Sequence, residues 1–351
     1  MAGLTVRGGG ARRLPGAPTL TALVLVTLLA VGWAGRQGAL GIGWEVLWEV
    51  SDPSLAGPAW VFWHLRLPRM ALALLVGAGL GVAGALMQGL FRNPLADPGV
   101  VGVSSGAALA AGLTIVVLAN VWPEAPRLLG SWTLVLMAFV GGLVTTGWVY
   151  RLAQSEHGLR VGVMLLAGIA VNALAGAGIG MLGYVANDEQ LRNYQLWMLG
   201  SLAGARWASV GTLAAVVLPL CVWSLVWARP LNALALGEAQ AVLLGVPVER
   251  LKRTVLWSTA ALTGACTATV GAVGFIGLVA PHMVRMLLGP DHRWVIPGSA
   301  LMGGCLVVLA DAAARTWLAP AEMPLGVLTA LMGGPLFVAL LRRARHLEGE
   351  R

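Results

Sequence analysis

The stretch Pro68–Phe91, PRMALALLVGAGLGVAGALMQGLF, carries a single ionisable side chain, Arg69, at its very start. About 20 mostly apolar residues in helical conformation cross the ~30 Å hydrocarbon core of a bilayer. Pro68–Phe91 is long enough to do so. Gly77, Gly81 and Gly84 lie along this one helix. Glycine is costly in a water-exposed helix, but in a membrane it lets neighbouring backbones approach closely.

Nine further segments read the same way, at about 18–35, 99–119, 131–150, 161–185, 207–228, 254–273, 275–289, 295–313 and 324–341. The eighth span, 275–289, is short and interrupted by Pro281. Of the 351 residues 58% are hydrophobic and 11% charged, with 48 glycines. A soluble domain carries roughly 25% charged residues, so the bilayer has to serve as the solvent. The expected fold is therefore an all-α integral membrane protein of about ten spans. A ten-helix domain covers 18–341, between short tails at 1–17 and 342–351. The apolar run near the N-terminus superficially resembles a signal peptide and is read as a retained first span.

The net charge of +8 does not point to nucleic acid. The basic residues fall in short clusters between apolar runs, a pattern that orients a chain in a membrane. With both termini in the cytoplasm, sixteen of the 23 basic residues lie on the cytoplasmic side and seven on the other. The only lysine, Lys252, follows Leu251, so no Gly-Lys-Ser/Thr nucleotide loop exists. Cys221, Cys266 and Cys305 sit far apart inside apolar runs and read as packing residues, and no Cys/His metal spacing appears. The histidines are scattered singly. No catalytic or metal-binding group emerges. Inside the spans Gln88, Asn172, Asp311 and Arg315 stand out as polar. Gln88 and Asn172 suit hydrogen bonding between helices, and Asp311 and Arg315, four apart on one helix face, suit each other.

Three loops carry more information. Leu65-Arg-Leu-Pro-Arg69 places two arginines one turn apart at the outer mouth of the second span. Arg66 and Arg69 are either headgroup anchors or a dock for carboxylates of an external partner. Arg92-Asn-Pro-Leu-Ala-Asp-Pro-Gly99 forces a tight cytoplasmic reversal, with Asn93 and Leu95 placed where an inner gate could form. The cytoplasmic loop at 229–253 contains LNALALGEAQAVLLGVPVERLKR, which Gly237, Gly245 and Pro247 break into short amphipathic pieces. Helices that lie on lipid usually have a strongly basic polar face. This one is acidic until its end, which favours a protein partner.

In the same loops the chain resembles the permeases of type II ATP-binding-cassette importers for ferric siderophores, haem and vitamin B12. LRLPR, QGLFRNPLADPGVVGVSSGA, LALGEAQAVLLGV, GAVGFIGLVAPHMVR, LADAAAR and MPLGVLTALMGGPLF occur in that family's order. The resemblance implies a type II importer permease fold, a homodimer with the pathway on its two-fold axis, and residence in the bacterial cytoplasmic membrane. It implies two separate ATPase subunits, which bind the ATP and Mg, and a periplasmic binding protein that delivers the cargo. This chain itself would bind no cofactor. Arg66, Arg69 and Arg315 match arginines that receive glutamates of the binding protein. Leu234, Leu236, Gly237, Glu238, Leu244, Gly245 and Val246 match the helices that seat in the ATPase. Asn93, Leu95, Val161 and Gly162 match the cytoplasmic gate, and the fifth helix lines the pathway.

The pieces GVPVERLKR, Met286–Arg293 and WMLGSLAGARW most resemble haem permeases, with a ferric siderophore next and cobalamin third. Val161 and Gly162 lack the hydroxyls of the vitamin B12 permease gate. His64, near the outer mouth, reads as an interfacial histidine or a brief ligand of haem iron. The rival class is an ion-coupled secondary transporter, for which Asp311 is the one candidate carboxylate in the spans. A membrane enzyme would need clustered titratable groups that the spans lack.

Overall fold

The computed structural model describes residues 14–38, 41, 43, 45, 56–122, 130, 132–156, 158–318 and 321–335. Most of the two expected tails, and the end of the tenth expected span, lie outside the described residues. In chain order the helices are α1 (Gly16–Arg36), α2 (Gly57–Phe91), α3 (Val103–Leu118), α4 (Trp132–Ala153), α5 (Val161–Val185), α6 (Asp188–Met198) and α7 (Trp207–Leu234). They continue with α8 (Glu238–Leu243), α9 (Val248–Val270), α10 (Ile276–Leu288), α11 (His292–Thr316) and α12 (Leu325–Pro335). One antiparallel hairpin, β1 (Gln154–Ser155) with β2 (Gly158–Leu159), joins α4 to α5.

Among the described residues six helices, α1, α2, α4, α5, α7 and α11, are long and apolar enough to cross a membrane. Helices α3, α10 and α12 are shorter and apolar. Helix α9 starts on charged residues, Glu249, Arg250, Lys252 and Arg253, and then turns apolar. Several helices overrun the expected segments. Helix α2 begins at Gly57 through a π-turn at Phe62–Arg66, α7 runs on to Leu234, and α9 starts at Val248. Hydropathy marks where lipid ends, whereas backbone hydrogen bonding continues as long as good helix formers such as glutamate, arginine and lysine follow. The expected 229–253 loop therefore shrinks to 235–247, with α8 inside it.

Helices α2 and α11 form the centre, buried over 78% and 72% of their apolar windows, against 17% for α1. Glycine decides how close they come. A Cβ on Gly77 would overlap the carbonyl oxygen of Gly303, one on Gly303 that of Gly77, and one on Gly81 that of Ser299. A Cβ on Gly84 would overlap the carbonyl of Gly277 in α10. In lipid there is no hydrophobic drive between helices, so this backbone-to-backbone packing carries the association. In α5 the glycines divide: Gly168 lies against the carbonyl of Val100, while Gly176 and Gly180 face open space.

Polar side chains inside the helices are mostly satisfied locally. Thr27, Thr114, Thr146, Ser224 and Ser299 each donate to the carbonyl four residues back, at 2.6–3.0 Å.

Gly84→Val is expected to destabilise the chain by about 3 kcal/mol or more, because backbone cannot yield as a side chain would. Gly180→Ala, whose methyl enters open space, is expected to leave the fold unchanged. Thermal unfolding of the two detergent-solubilised variants checks both outcomes.

Candidate functional site

The two ends of the bundle carry different chemistry. At one end the three arginines of the expected docking face come together. Arg66 sits in the π-turn before Leu67, is 6% exposed, and donates to the Gly35 carbonyl at 2.8 Å. The Arg315 guanidinium donates to the Gln37 carbonyl at 3.1 Å and the Ala34 carbonyl at 3.3 Å. Both therefore donate to carbonyls at the C-terminus of α1, where Ala34 also accepts from the Gln37 amide. The outward-facing arginine pair of the sequence reading is thus only half present, because Arg66 turns inward onto α1.

Arg69 keeps the outward position. Its Nε donates to Asp311 Oδ1 at 2.9 Å, and its two terminal nitrogens meet the two oxygens of Glu322 at 3.0 Å each. Asp311, 1% exposed, also pairs with Arg315 Nε at 3.1 Å, the contact that the four-residue spacing anticipated. A carboxylate held between two guanidiniums is a structural counter-ion.

The other end holds the loop 235–247. Gly237 at φ +121° and Gly245 at φ +78° make the turns on either side of α8 that a side chain would strain. Of the residues matched to an ATPase contact, Leu234 is buried, while Leu236 and Leu244 are 66% and 64% exposed. Leu243, which the sequence reading left out, is 87% exposed, and Val242 is exposed beside it. Ala241 is buried and holds α8 to the bundle. Four exposed apolar side chains on one short loop are a contact surface in search of a partner. Glu238, the first residue of α8, pairs with Lys252 at 2.8 Å.

The expected gate residues lie on two neighbouring elements. Helix α2 ends at Arg92 in left-handed conformation, and the Asn93 Oδ1 accepts from the Leu95 amide at 2.9 Å. Asp97 Oδ1 accepts from the Gly99 amide at 2.7 Å and opens the turn Pro98–Val101. Burial raises the Asp97 carboxyl above the ordinary carboxylate range, against the opposing pull of the Gly99 amide. Helix α5 packs on this turn through Gly168 and Val100, and begins with Val161, half-buried, and Gly162, exposed. The opposite face of α5, with Leu166, Ile169, Leu174, Met181 and Tyr184, is exposed throughout. Asn172 accepts from Ser105 Oγ at 2.5 Å, a bond between α5 and α3.

One polar cluster went beyond the sequence reading. Gln88 donates to the Leu278 carbonyl at 3.2 Å and accepts from Arg285, joining α2 to α10. Asn232 Oδ1 accepts from the His292 amide at 2.9 Å, and Asn232 Nδ2 donates to Asp291 at 2.7 Å, joining α7 to the start of α11. Arg293, by hydrogen bonding, draws the Asp291 carboxyl down to about 2. Gln88 stands out in the sequence as a polar residue inside a span; Asn232 gives no signal, being one more polar residue beside a loop. Among the described residues no group of three or more His, Cys, Asp or Glu side chains could hold a metal ion, and the three cysteines are free thiols.

This helical architecture, with its glycine-packed centre and its exposed apolar loop, is that of a multi-pass membrane permease with the type II fold of ATP-binding-cassette importers. The chain belongs to the FecCD transport family, which it matches over residues 22–343. It is 47% identical over 324 residues to the hemin transport system permease protein HmuU of Yersinia pestis, covering 92% of this chain and 95% of that one. It is 39% identical over 325 residues to the vitamin B12 import system permease protein BtuC of Escherichia coli, covering 93% and 94%. A solved structure described as an inward-facing conformation of a metal-chelate type ABC transporter superposes with a TM-score of 0.82 at 30% identity, covering 93% of this chain and 99% of that one. The chain is a transport subunit and not an enzyme; ATP hydrolysis belongs to a separate subunit.

Asp311→Asn leaves Arg69 and Arg315 buried beside a neutral amide. The variant is expected to lose about 3–5 kcal/mol of stability. Its melting temperature in detergent, against the unaltered chain, checks this.

Proposed function

We propose that this chain carries haem across the bacterial cytoplasmic membrane, as one half of a homodimer whose pathway lies on the two-fold axis. The identity with the hemin permease, 47% against 39% for the vitamin B12 permease, is the observation that carries the choice of cargo. Ten spans, with both termini in the cytoplasm, accord with the distribution of basic residues. The exposed apolar face of α5 is the pathway wall. Leu166, Ile169 and Leu174 on that face offer a flat macrocycle an apolar surface.

Two ATPase subunits, which bind ATP and Mg, seat against Leu236, Gly237, Glu238, Leu244, Gly245 and Val246, with Leu243 added to that surface. Closure of the ATPase dimer moves the permease between outward- and inward-open states, with Asn93, Leu95, Val161 and Gly162 at the inner gate. This is differential stabilisation of two conformations and needs no bond chemistry in this chain. On the outer face a periplasmic binding protein docks through a carboxylate at Arg69, with the buried Arg66 and Arg315 adding positive charge behind it rather than direct contacts. Glu322, 3.0 Å from Arg69 and partly exposed, occupies that guanidinium until a partner carboxylate replaces it. His64 donates from Nδ1 to the Trp60 carbonyl at 3.1 Å in the tautomer that leaves Nε2 free to touch haem iron in passing. A ferric siderophore or cobalamin is the alternative cargo within the same class, supported by the likeness to BtuC.

The test is ATP-dependent uptake by the chain reconstituted with its ATPase and binding protein, comparing hemin, a ferric siderophore and cyanocobalamin. Accumulation of hemin well above the other two is expected; preference for either of them would overturn the choice of cargo. Arg69→Glu is expected to weaken binding-protein docking at least tenfold, a loss of about 1.4 kcal/mol or more. Glu322→Gln is expected to strengthen it, as read by equilibrium binding to the reconstituted permease.

A further inference from the structure

The chain's only lysine is one of its most buried charges. Lys252 is 3% exposed, and its ammonium donates to Glu238 at 2.8 Å, to Glu249 at 3.0 Å and to the Leu159 carbonyl at 2.9 Å. An ammonium has three N–H groups, and all three are used. The second oxygen of Glu249 accepts from the Leu159 amide at 2.8 Å. One lysine–glutamate pair therefore grips both polar groups of Leu159.

The three acceptors come from three elements. Glu238 is the first residue of α8, Glu249 belongs to the first turn of α9, and Leu159 ends the β-hairpin. Leu159 lies two positions before Val161, where α5 begins. The hairpin is itself tied, by its strand register Gln154↔Leu159 and by Ser155 Oγ donating to the Gly158 carbonyl at 2.8 Å. Gly158, at φ +102°, admits the Glu249 carboxylate where a side chain would meet it. Apart from this grip, α8 is held by Ala241 and by glycine turns at both ends.

We propose that Lys252 is the positioning residue that couples α8 to the start of α5, so that a push on the ATPase-facing loop reaches the gate at Val161 and Gly162. This rests on the proposed role of the loop as the ATPase contact. The logic is mechanical. A short helix hinged on two glycines transmits little by itself, and the clamp makes α8, the base of α9 and the hairpin move as one body. Loss of one partner leaves a buried donor unpaired, so the junction works as a unit.

The experiment uses the complete transporter in proteoliposomes. It reads cargo accumulated per ATP hydrolysed, with whichever of hemin, a ferric siderophore or cyanocobalamin the unaltered complex accumulates. Lys252→Met and Glu249→Met are each expected to lower that ratio about tenfold while hydrolysis persists; Glu249 holds both Lys252 and the Leu159 amide and lies outside the proposed ATPase contact. The double variant is expected to be no worse than either single one, because both break the same junction. If Lys252→Met does not assemble, Glu249→Met carries the test, since that side chain is about half exposed. A normal ratio in Glu249→Met would overturn the clamp alone. Absence of ATP-driven uptake by the unaltered complex would overturn the reading beneath it, and the clamp with it.

Discussion

Everything in this fold is arranged around a contact between bare backbones. Where α2 meets α11 and α10, at Gly77, Gly81, Gly84, Gly277 and Gly303, no side chain fits between the helices. Solvation by lipid gives two apolar helices no reason to prefer each other over the bilayer, so close dispersion contact and paired dipoles must supply it. The consequence is a rigid central column with other helices around it. Around it lie α5 with its open face, α8 between two glycine turns, and the turn after α2, the elements on which the proposed pathway, ATPase contact and gate are placed.

Both ends of that column are finished by charge, and in both cases the charge looks inward. Arg66 and Arg315 close off the carbonyls at the end of α1, and Asp311 balances Arg69 and Arg315. At the opposite end Lys252 ties three elements through one ammonium. Such groups are expensive to bury singly and stable only as complete sets. Asp311 is committed to arginines on both sides.

Much of the fold was legible because lipid imposes a simple rule on sequence. Among the described residues the apolar segments fall on helices, six of them long and apolar enough to cross a membrane, and the glycines of α2 read correctly as packing residues. The ends of helices were less legible, since hydropathy reports the membrane boundary and not the last hydrogen bond; α2, α7 and α9 all run further than their apolar cores. In α5 the sequence could not separate Gly168, which packs, from Gly176 and Gly180, which do not, because the difference lies in a neighbouring turn. Arg66 read as outward-facing because its spacing from Arg69 says nothing about where α1 ends. The hairpin at 154–159 is too short to show an alternating pattern, and Lys252, in the run Val-Glu-Arg-Leu-Lys-Arg, looks like one more interfacial base. Its burial is decided by Leu159 and Glu238, both distant from it along the chain.

The polypeptide is a permease subunit, and the energy for transport enters through a separate ATPase subunit. The most direct measurement places the purified chain, without any ATPase, in liposomes under proton and sodium gradients and follows the internal concentration of hemin, a ferric siderophore and cyanocobalamin. None is expected to rise above its external level. Sustained accumulation of any of them by the lone chain would contradict it.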